Sequence, residues 1–81
     1  MKLTVQRPIF AESASKFVNA ASKYSSTILI KKDHWVVDAK SLLGVLALSL
    51  QPDDVVELSF EGNESESEEF TKEVTELGLF G

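Results

Sequence analysis

The sequence predicts an α+β domain: a four-stranded antiparallel sheet with three helices on one face, in the order β-α-β-β-α-β-α. Three observations lead there. Val56, Leu58 and Phe60 alternate with Glu57, Ser59 and Glu61, the period of two expected of a strand with one buried face. Ala14, Phe17, Val18 and Ala21 recur at helical spacing, with Lys16, Asn19 and Lys23 on the opposite side. Strand and helix patterns follow one another through short turns, with no linker and no internal repeat, and such an order packs its helices onto one side of an open sheet.

Leu3 and Val5 alternate with Lys2, Thr4 and Gln6, giving a short first strand that Arg7-Pro8 interrupts, because proline cannot donate to a ladder. The first helix is expected from about Glu12 to Tyr24, ending in Ser25-Ser26. Thr27-Ile28-Leu29-Ile30-Lys31 is β-branched and apolar, hence a strand. Lys32-Asp33-His34 reads as a turn, and Trp35-Val36-Val37-Asp38 returns as the third strand of a hairpin. Ser41 is a good cap for a short apolar helix through Leu48, and Gln51-Pro52-Asp53-Asp54 is turn chemistry. After the fourth strand Gly62-Asn63 turns the chain. Ser65 with Glu68 makes a capping-box pattern ahead of Phe70, Val74 and Leu77, with Gly78 as the stop. On the bare face of the sheet this reading places Thr4, Thr27, Glu57 and Ser59, with Leu29 and Val36 as apolar exceptions. A bare apolar patch of that kind is either incidental or a site of self-association.

Eighty-one residues make one domain, spanning 1–81, near the lower limit of what a hydrophobic core alone can hold. At 43% apolar and 26% charged, the composition is that of an ordinary globular protein. No apolar run nears the roughly 18 residues that a membrane span needs, and Met1–Pro8 has no signal-peptide character. With no cysteine there is neither a disulfide framework nor a thiolate metal site, which fits a cytoplasmic location. The net charge of −5 is unevenly spread: residues 1–40 carry seven Lys/Arg against three Asp/Glu, whereas residues 41–81 carry ten Asp/Glu against Lys72 alone. Without a basic stripe interleaved with aromatics, nucleic acid is not an expected partner. The acidic run Glu64, Glu66, Glu68, Glu69, Glu73 and Glu76 has no calcium-loop spacing and reads as a solvated helix face. No metal or other cofactor is expected.

The order of elements, with Ala21-Ser22-Lys23-Tyr24 and Asp38-Ala39-Lys40-Ser41-Leu42-Leu43-Gly44-Val45-Leu46-Ala47-Leu48, resembles HPr, the phosphocarrier of the bacterial sugar phosphotransferase system. The second stretch is similar to the family's regulatory segment, Asn/Asp-x-Lys-Ser-x-x-Gly-x-x-x-Leu, around the serine that HPr kinase phosphorylates in Gram-positive bacteria. The resemblance implies an HPr-like open-faced β-sandwich. It is specific from about Ala20 to Leu50 and weak before Ala14.

The weak stretch is where the family keeps its chemistry. There a Gly-x-His-Ala-Arg-Pro motif precedes the first helix, and its imidazole takes phosphate from enzyme I and passes it to the transporters. That step needs a neutral imidazole nucleophile, with helix N-terminal amides and a guanidinium to hold the phosphate. Ungapped alignment from Lys23-Tyr24 sets Phe10 at the histidine position, Glu12 at the arginine position and Ser13 at the proline position, leaving only Ala11. Phenylalanine cannot take phosphate, and a carboxylate repels a phosphoryl group. No catalytic residue is therefore assigned. His34, the one histidine, falls in a turn far from the first helix's start.

What the resemblance leaves in place is Ser41, a candidate for regulatory phosphorylation as well as a helix cap. Beside it stand Leu42, Leu43 and Leu46, at positions similar to the family's partner-docking patch. A helix this short cannot bury all three together with Val45 and Leu48, so some exposure is expected. The implied reading is a non-enzymatic regulatory paralogue, similar in logic to the catabolite-repression HPr. Its partners would be proteins: HPr kinase, phosphotransferase-system proteins or a transcriptional regulator. Two other readings stand beside it: a fold-only relative serving as a binding module, and a phosphocarrier using another nucleophile.

Overall fold

The computed structural model describes residues 1–81. Its elements are β1 (Lys2–Thr4), α1 (Glu12–Ser22), β2 (Thr27–Lys32), β3 (Trp35–Asp38), α2 (Leu42–Ala47), β4 (Val55–Glu61) and α3 (Glu64–Glu76). The strands lie in the order β1-β4-β2-β3, each antiparallel to its neighbours. This is the open α+β sandwich expected.

Register follows from which residues must leave water. Leu3 stands opposite Val56, Ile30 opposite both Leu58 and Val37, and Ile28 opposite Phe60. All point to the side that the helices cover. A slip of one residue would turn this whole set into solvent. The other face carries Lys2, Glu57 and Lys31 side by side across three strands, together with Thr27, Ser59 and Glu61. Of the apolar residues expected there, Leu29 is half-buried and Val36 is exposed.

The helices are held down by aromatic rings. Phe17 of α1 packs against Phe70 of α3 at 5.5 Å between centroids and against Phe80 at 5.4 Å, all three fully buried. Burial and tilted ring packing together make each worth about 3–5 kcal/mol against alanine.

β1 is paired on both sides. Beyond its partner β4, Thr4 and Gly81 exchange two hydrogen bonds of 2.9 Å, the Gln6 N–H donates to Leu79 O at 2.8 Å, and Val5 lies opposite Phe80. Residues 79–81 thus run as a short antiparallel strip along the outer edge of β1.

Local differences from the expected elements have simple causes. α1 ends at Ser22, two residues before Tyr24. Lys32 belongs to β2, paired with Trp35, and only Asp33-His34 make the turn, with Asp33 at φ 55°. The Lys32 ammonium donates to Leu48 O at 3.2 Å and Ser49 O at 3.4 Å, and lies 3.0 Å from Asp54 Oδ2, so it anchors the C-terminal end of α2. α3 is capped by Asn63, whose Oδ1 accepts from Ser65 N at 2.9 Å; Ser65 is not the cap. Glu66, three residues after Asn63, does not close a capping box. Its Oε1 instead accepts from Ser26 N at 3.0 Å and from Ser26 Oγ at 2.9 Å, satisfying the one buried polar side chain. Gly78 does stop α3: at φ 77° it donates to Thr75 O while Leu79 N donates to Val74 O, a Schellman ending with apolar Leu79 over Val74.

Ala11, the residue before α1, sits at φ 51°, ψ −120°, a conformation open to glycine and strained for a side chain. Such strain costs roughly 1–3 kcal/mol, against less than about 1 kcal/mol for the extra freedom glycine gives the unfolded chain. Because Ala11 is exposed, its methyl packs on little. Ala11→Gly is expected to stabilise the fold by about 1 kcal/mol, raising Tm by about 4–8 °C. A thermal melt without an upward shift would remove the strain argument.

Candidate functional site

Two places concern function: the N-terminal end of α1 and the helix α2. The first is an open groove of about 450 Å³ lined by Arg7, Pro8, Phe10, Ala11, Glu12, Ser13, Lys16, Leu77 and Leu79. The chain reaches it through an isolated bridge between Ile9 and Leu50, both buried, which throws Phe10 outward with 62% of its surface exposed. Ser13 locks the turn. Its Oγ accepts from Phe10 N at 3.1 Å and lies 3.0 Å from the carbonyl oxygens of both Pro8 and Phe10. The Glu12 carboxylate pairs with Lys16 one turn on, at 3.5 Å, in a well-exposed contact worth a few tenths of a kcal/mol. Across the groove the Arg7 guanidinium lies over Gly78, where an added Cβ would stand 3.7 Å from it.

Chemically this end of the molecule is a shallow, mixed surface. Its one hydroxyl, Ser13, is held by backbone partners with no adjacent base, and its carboxylate faces its own lysine. His34 does not line the groove; it stands exposed in the turn joining β2 to β3.

At the second place, backbone and side chains build a helix start. Asp38 Oδ1 accepts from Lys40 N at 2.8 Å and Asp38 O from Ser41 N at 2.9 Å, a tight turn out of β3. Ser41, extended at φ −99°, ψ 111°, then caps α2: its Oγ accepts from Gly44 N at 3.1 Å and its carbonyl from Val45 N at 3.0 Å. Gly44 has a packing reason to be glycine, since a Cβ there would come within 3.1 Å of Val37 Cβ and 3.3 Å of Ser41 Oγ. Lys40 is turned away, its Nζ donating to Tyr24 O at 2.7 Å.

The leucines divide by face. Val45 and Leu48 are buried, and Leu46 is partly buried against the core. Leu42 is partly open, while Leu43 projects with 81% of its surface exposed. Ser41 is itself exposed, so hydroxyl and leucine are presented together on the first turn of α2.

An electrostatic cluster joins α1 to α3, and it corrects the reading of the acidic run as a solvated face: Glu66 and Glu73 are half-buried and paired. Glu73 accepts from Lys23 and, at 3.0 Å, from the Tyr24 hydroxyl. The lysine contact, aided by the tyrosine, holds the Glu73 carboxyl below the usual range despite partial burial. Burial, followed by the Glu73 hydrogen bond and charge, pushes the Tyr24 hydroxyl up to about 12. Glu66 is lowered by the N–H and Oγ of Ser26, and Asp54 by the Gln51 N–H and then Lys32. Only helix periodicity, which brings Lys23 and Tyr24 to the end of α1, hinted at these pairs.

The signs give the expected pH profile. Carboxylates lowered by folding stabilise the native state fully above the unfolded value, about 4, and that stability is lost as pH falls through their folded values. The raised tyrosine stabilises fully below about 10, and this is lost as pH rises through about 12. Glu73→Gln is therefore expected to flatten the acid limb and to bring the Tyr24 midpoint down from about 12 toward its ordinary value. Urea unfolding across pH, with tyrosinate absorbance, checks both limbs; an unchanged tyrosine midpoint would contradict the Glu73 assignment.

Known proteins share this fold and resemble this sequence. The family model described as "PTS HPr component phosphorylation site" matches residues 2–77. The HPr-like protein Crh of Halalkalibacterium halodurans is 36% identical over 56 residues, covering 69% of this chain and 67% of that protein. The crystal structure of HPr-C-His from Thermoanaerobacter tengcongensis matches with a TM-score of 0.84 at 35% identity, over 96% of this chain and 88% of its own. Crh of Bacillus subtilis, crystallised as a dimer with a swapped domain, matches with a TM-score of 0.72 at 28% identity, over 98% of this chain and 88% of its own.

Proposed function

The chain belongs to the HPr family of the sugar phosphotransferase system, and from that premise we propose a regulatory, partner-binding role without the histidyl phosphoryl relay. The observation that carries this reading is the pairing on α2 of an exposed Ser41 hydroxyl with an 81% exposed Leu43. Leu42 and the partly buried Leu46 extend that surface. In this reading Ser41 is the phosphorylated residue, and Leu42, Leu43 and Leu46 meet the protein partner. A phosphate there adds close to two negative charges beside a leucine surface, enough to change which partner docks. The location is the cytoplasm, where such a kinase and its nucleotide are found; no helix of the chain is long and apolar enough to cross a membrane.

The α1 end supports the second half of the proposal. Counted without a gap from Lys23-Tyr24, Phe10 falls at the family's histidine position and Glu12 at its arginine position. A phenyl ring cannot take phosphate, and a carboxylate repels a phosphoryl group where the family supplies a cation. Glu12 also disfavours docking to a repressor that would use the family's arginine.

Incubation with HPr kinase and ATP is expected to add the mass of one phosphate to the wild-type chain and none to Ser41→Ala. An unshifted wild type, or a shift that survives Ser41→Ala, would sink the regulatory serine. With enzyme I and phosphoenolpyruvate the wild type is expected to stay unmodified; an acid-labile phosphate on His34 would instead support a relocated phosphocarrier. Phe10→His combined with Glu12→Arg is expected to accept phosphate from enzyme I, because imidazole and guanidinium would then flank the start of α1. If that double variant folds and stays unmodified, the lost relay has a cause beyond these two positions.

A further inference from the structure

A four-stranded open sheet has two outer edges, and here that of β1 is covered at its Thr4 end while that of β3 is open along its length. The edge of β1 is covered by residues 79–81 through the Thr4–Gly81 and Gln6–Leu79 hydrogen bonds. The edge of β3 has no such cover. Lys32 and Trp35 flank a two-residue turn, so they exchange hydrogen bonds, as do Ile30 and Val37 one step on. Ala39 continues the series, its N–H donating to Ile28 O at 2.8 Å. Val36 and Asp38 therefore turn their main-chain groups away from β2. Asp38 O is taken by Ser41 N, whereas the Val36 N–H and C=O face outward. The same strand shows the largest exposed aromatic of the molecule: Trp35 is 71% exposed and Val36 53%. An exposed apolar edge is a template for strand addition, and proteins commonly guard such edges with charge or proline. Within Trp35-Val36-Val37-Asp38 the one guard is the terminal Asp38.

We infer that this edge is where a second copy of the chain binds, β3 pairing antiparallel with its own equivalent about a two-fold axis at Val36. The strand is self-complementary in that register. The two Val36 residues exchange N–H···O bonds. Trp35 of each copy lies opposite the half-buried Val37 of the other. The His34 end of each copy comes beside the Asp38 carboxylate of the other, whose Oδ1 holds Lys40 N while its second oxygen has no partner. Centring the pair on Asp38 would instead set two carboxylates face to face, which like charges disfavour. An unrelated extended peptide would lack the reciprocal His34 and Asp38 ends, so the second copy is the occupant the chemistry selects.

The contact is short. Stable interfaces bury on the order of 1,600 Å², and a four-residue edge with one tryptophan falls below that. Association is therefore weak and concentration-dependent. It is also distinct from domain exchange, since no segment leaves its own sheet.

Sedimentation equilibrium of the full chain, with ¹H–¹⁵N spectra over a dilution series, tests this. The expected result is a reversible dimer whose formation shifts the Val36 amide and the Trp35 indole. Val36→Pro removes an N–H that points away from β2 and is expected to abolish the dimer while leaving the circular dichroism unchanged. Trp35→Ala and His34→Asp should each weaken association by about tenfold or more. A chain that stays monomeric to about 1 mM overturns the proposal. So does a dimer that survives both Val36→Pro and dilution, as an exchanged-domain form would. Should Val36→Pro unfold the chain, the exposed-turn variant His34→Asp decides, and a dimer indifferent to it overturns the assignment.

Discussion

Much of the molecule hangs on the ring of Phe70. Fully buried on α3, it meets Phe17 of α1 at 5.5 Å, Tyr24 at 5.8 Å and Phe60 of β4 at 6.0 Å between centroids. Phe17 in turn carries the cluster to Phe80, beside β1. One side chain therefore fixes the distance between two helices and the sheet. The polar pairs at its margin, Tyr24 and Lys23 on Glu73, are possible only because that packing sets α1 and α3 side by side. Both candidate surfaces depend on it: Leu77 and Leu79, which follow α3, wall the groove at the start of α1, and α2 packs on α1.

Short-range pattern made much of this legible in the sequence. The alternation from Val55 to Glu61 and the helical spacing of Ala14, Phe17 and Ala21 report burial directly, and burial is what the fold satisfies. Ser41 was legible as a cap because a serine before an apolar run has few other uses. The cap of α3 was misread for a physical reason. Asn63 and Ser65 are both good caps two residues apart, and the choice falls to Asn63 while Glu66, which a capping box would use, is drawn to the buried Ser26 forty residues upstream. Lys32 was misread likewise, since nothing local says that its ammonium reaches the carbonyls ending α2. The position of β4 between β1 and β2, and the strip at residues 79–81, depend on pairings between distant parts of the chain, to which periodicity is blind.

The candidate surfaces differ in how much of their chemistry could be read this way. Identity alone says that the Phe10 ring cannot take phosphate and that the Glu12 carboxylate repels it. The spread of exposure across Leu42, Leu43 and Leu46 needed the fold, because it depends on how α2 lies against Val37. That closeness is eased by glycine at position 44, where a Cβ would crowd Val37 and Ser41. A six-residue helix has little stability of its own. α2 stands because Ser41 caps one end and Lys32 holds the other, so the hydroxyl proposed to take phosphate also keeps the leucines in place.

The pairing of residues 79–81 with β1 bears on the order in which the chain can fold. β1 is made first, yet neither of its neighbours exists until β4 and then the 79–81 strip have been synthesised. During synthesis the hairpin of β2 and β3, with α1 and α2, can form early, while Leu3 and Val5 wait without a partner. Contacts so far apart in sequence slow closure, and completion of the sheet is held back until residues 79–81 have emerged.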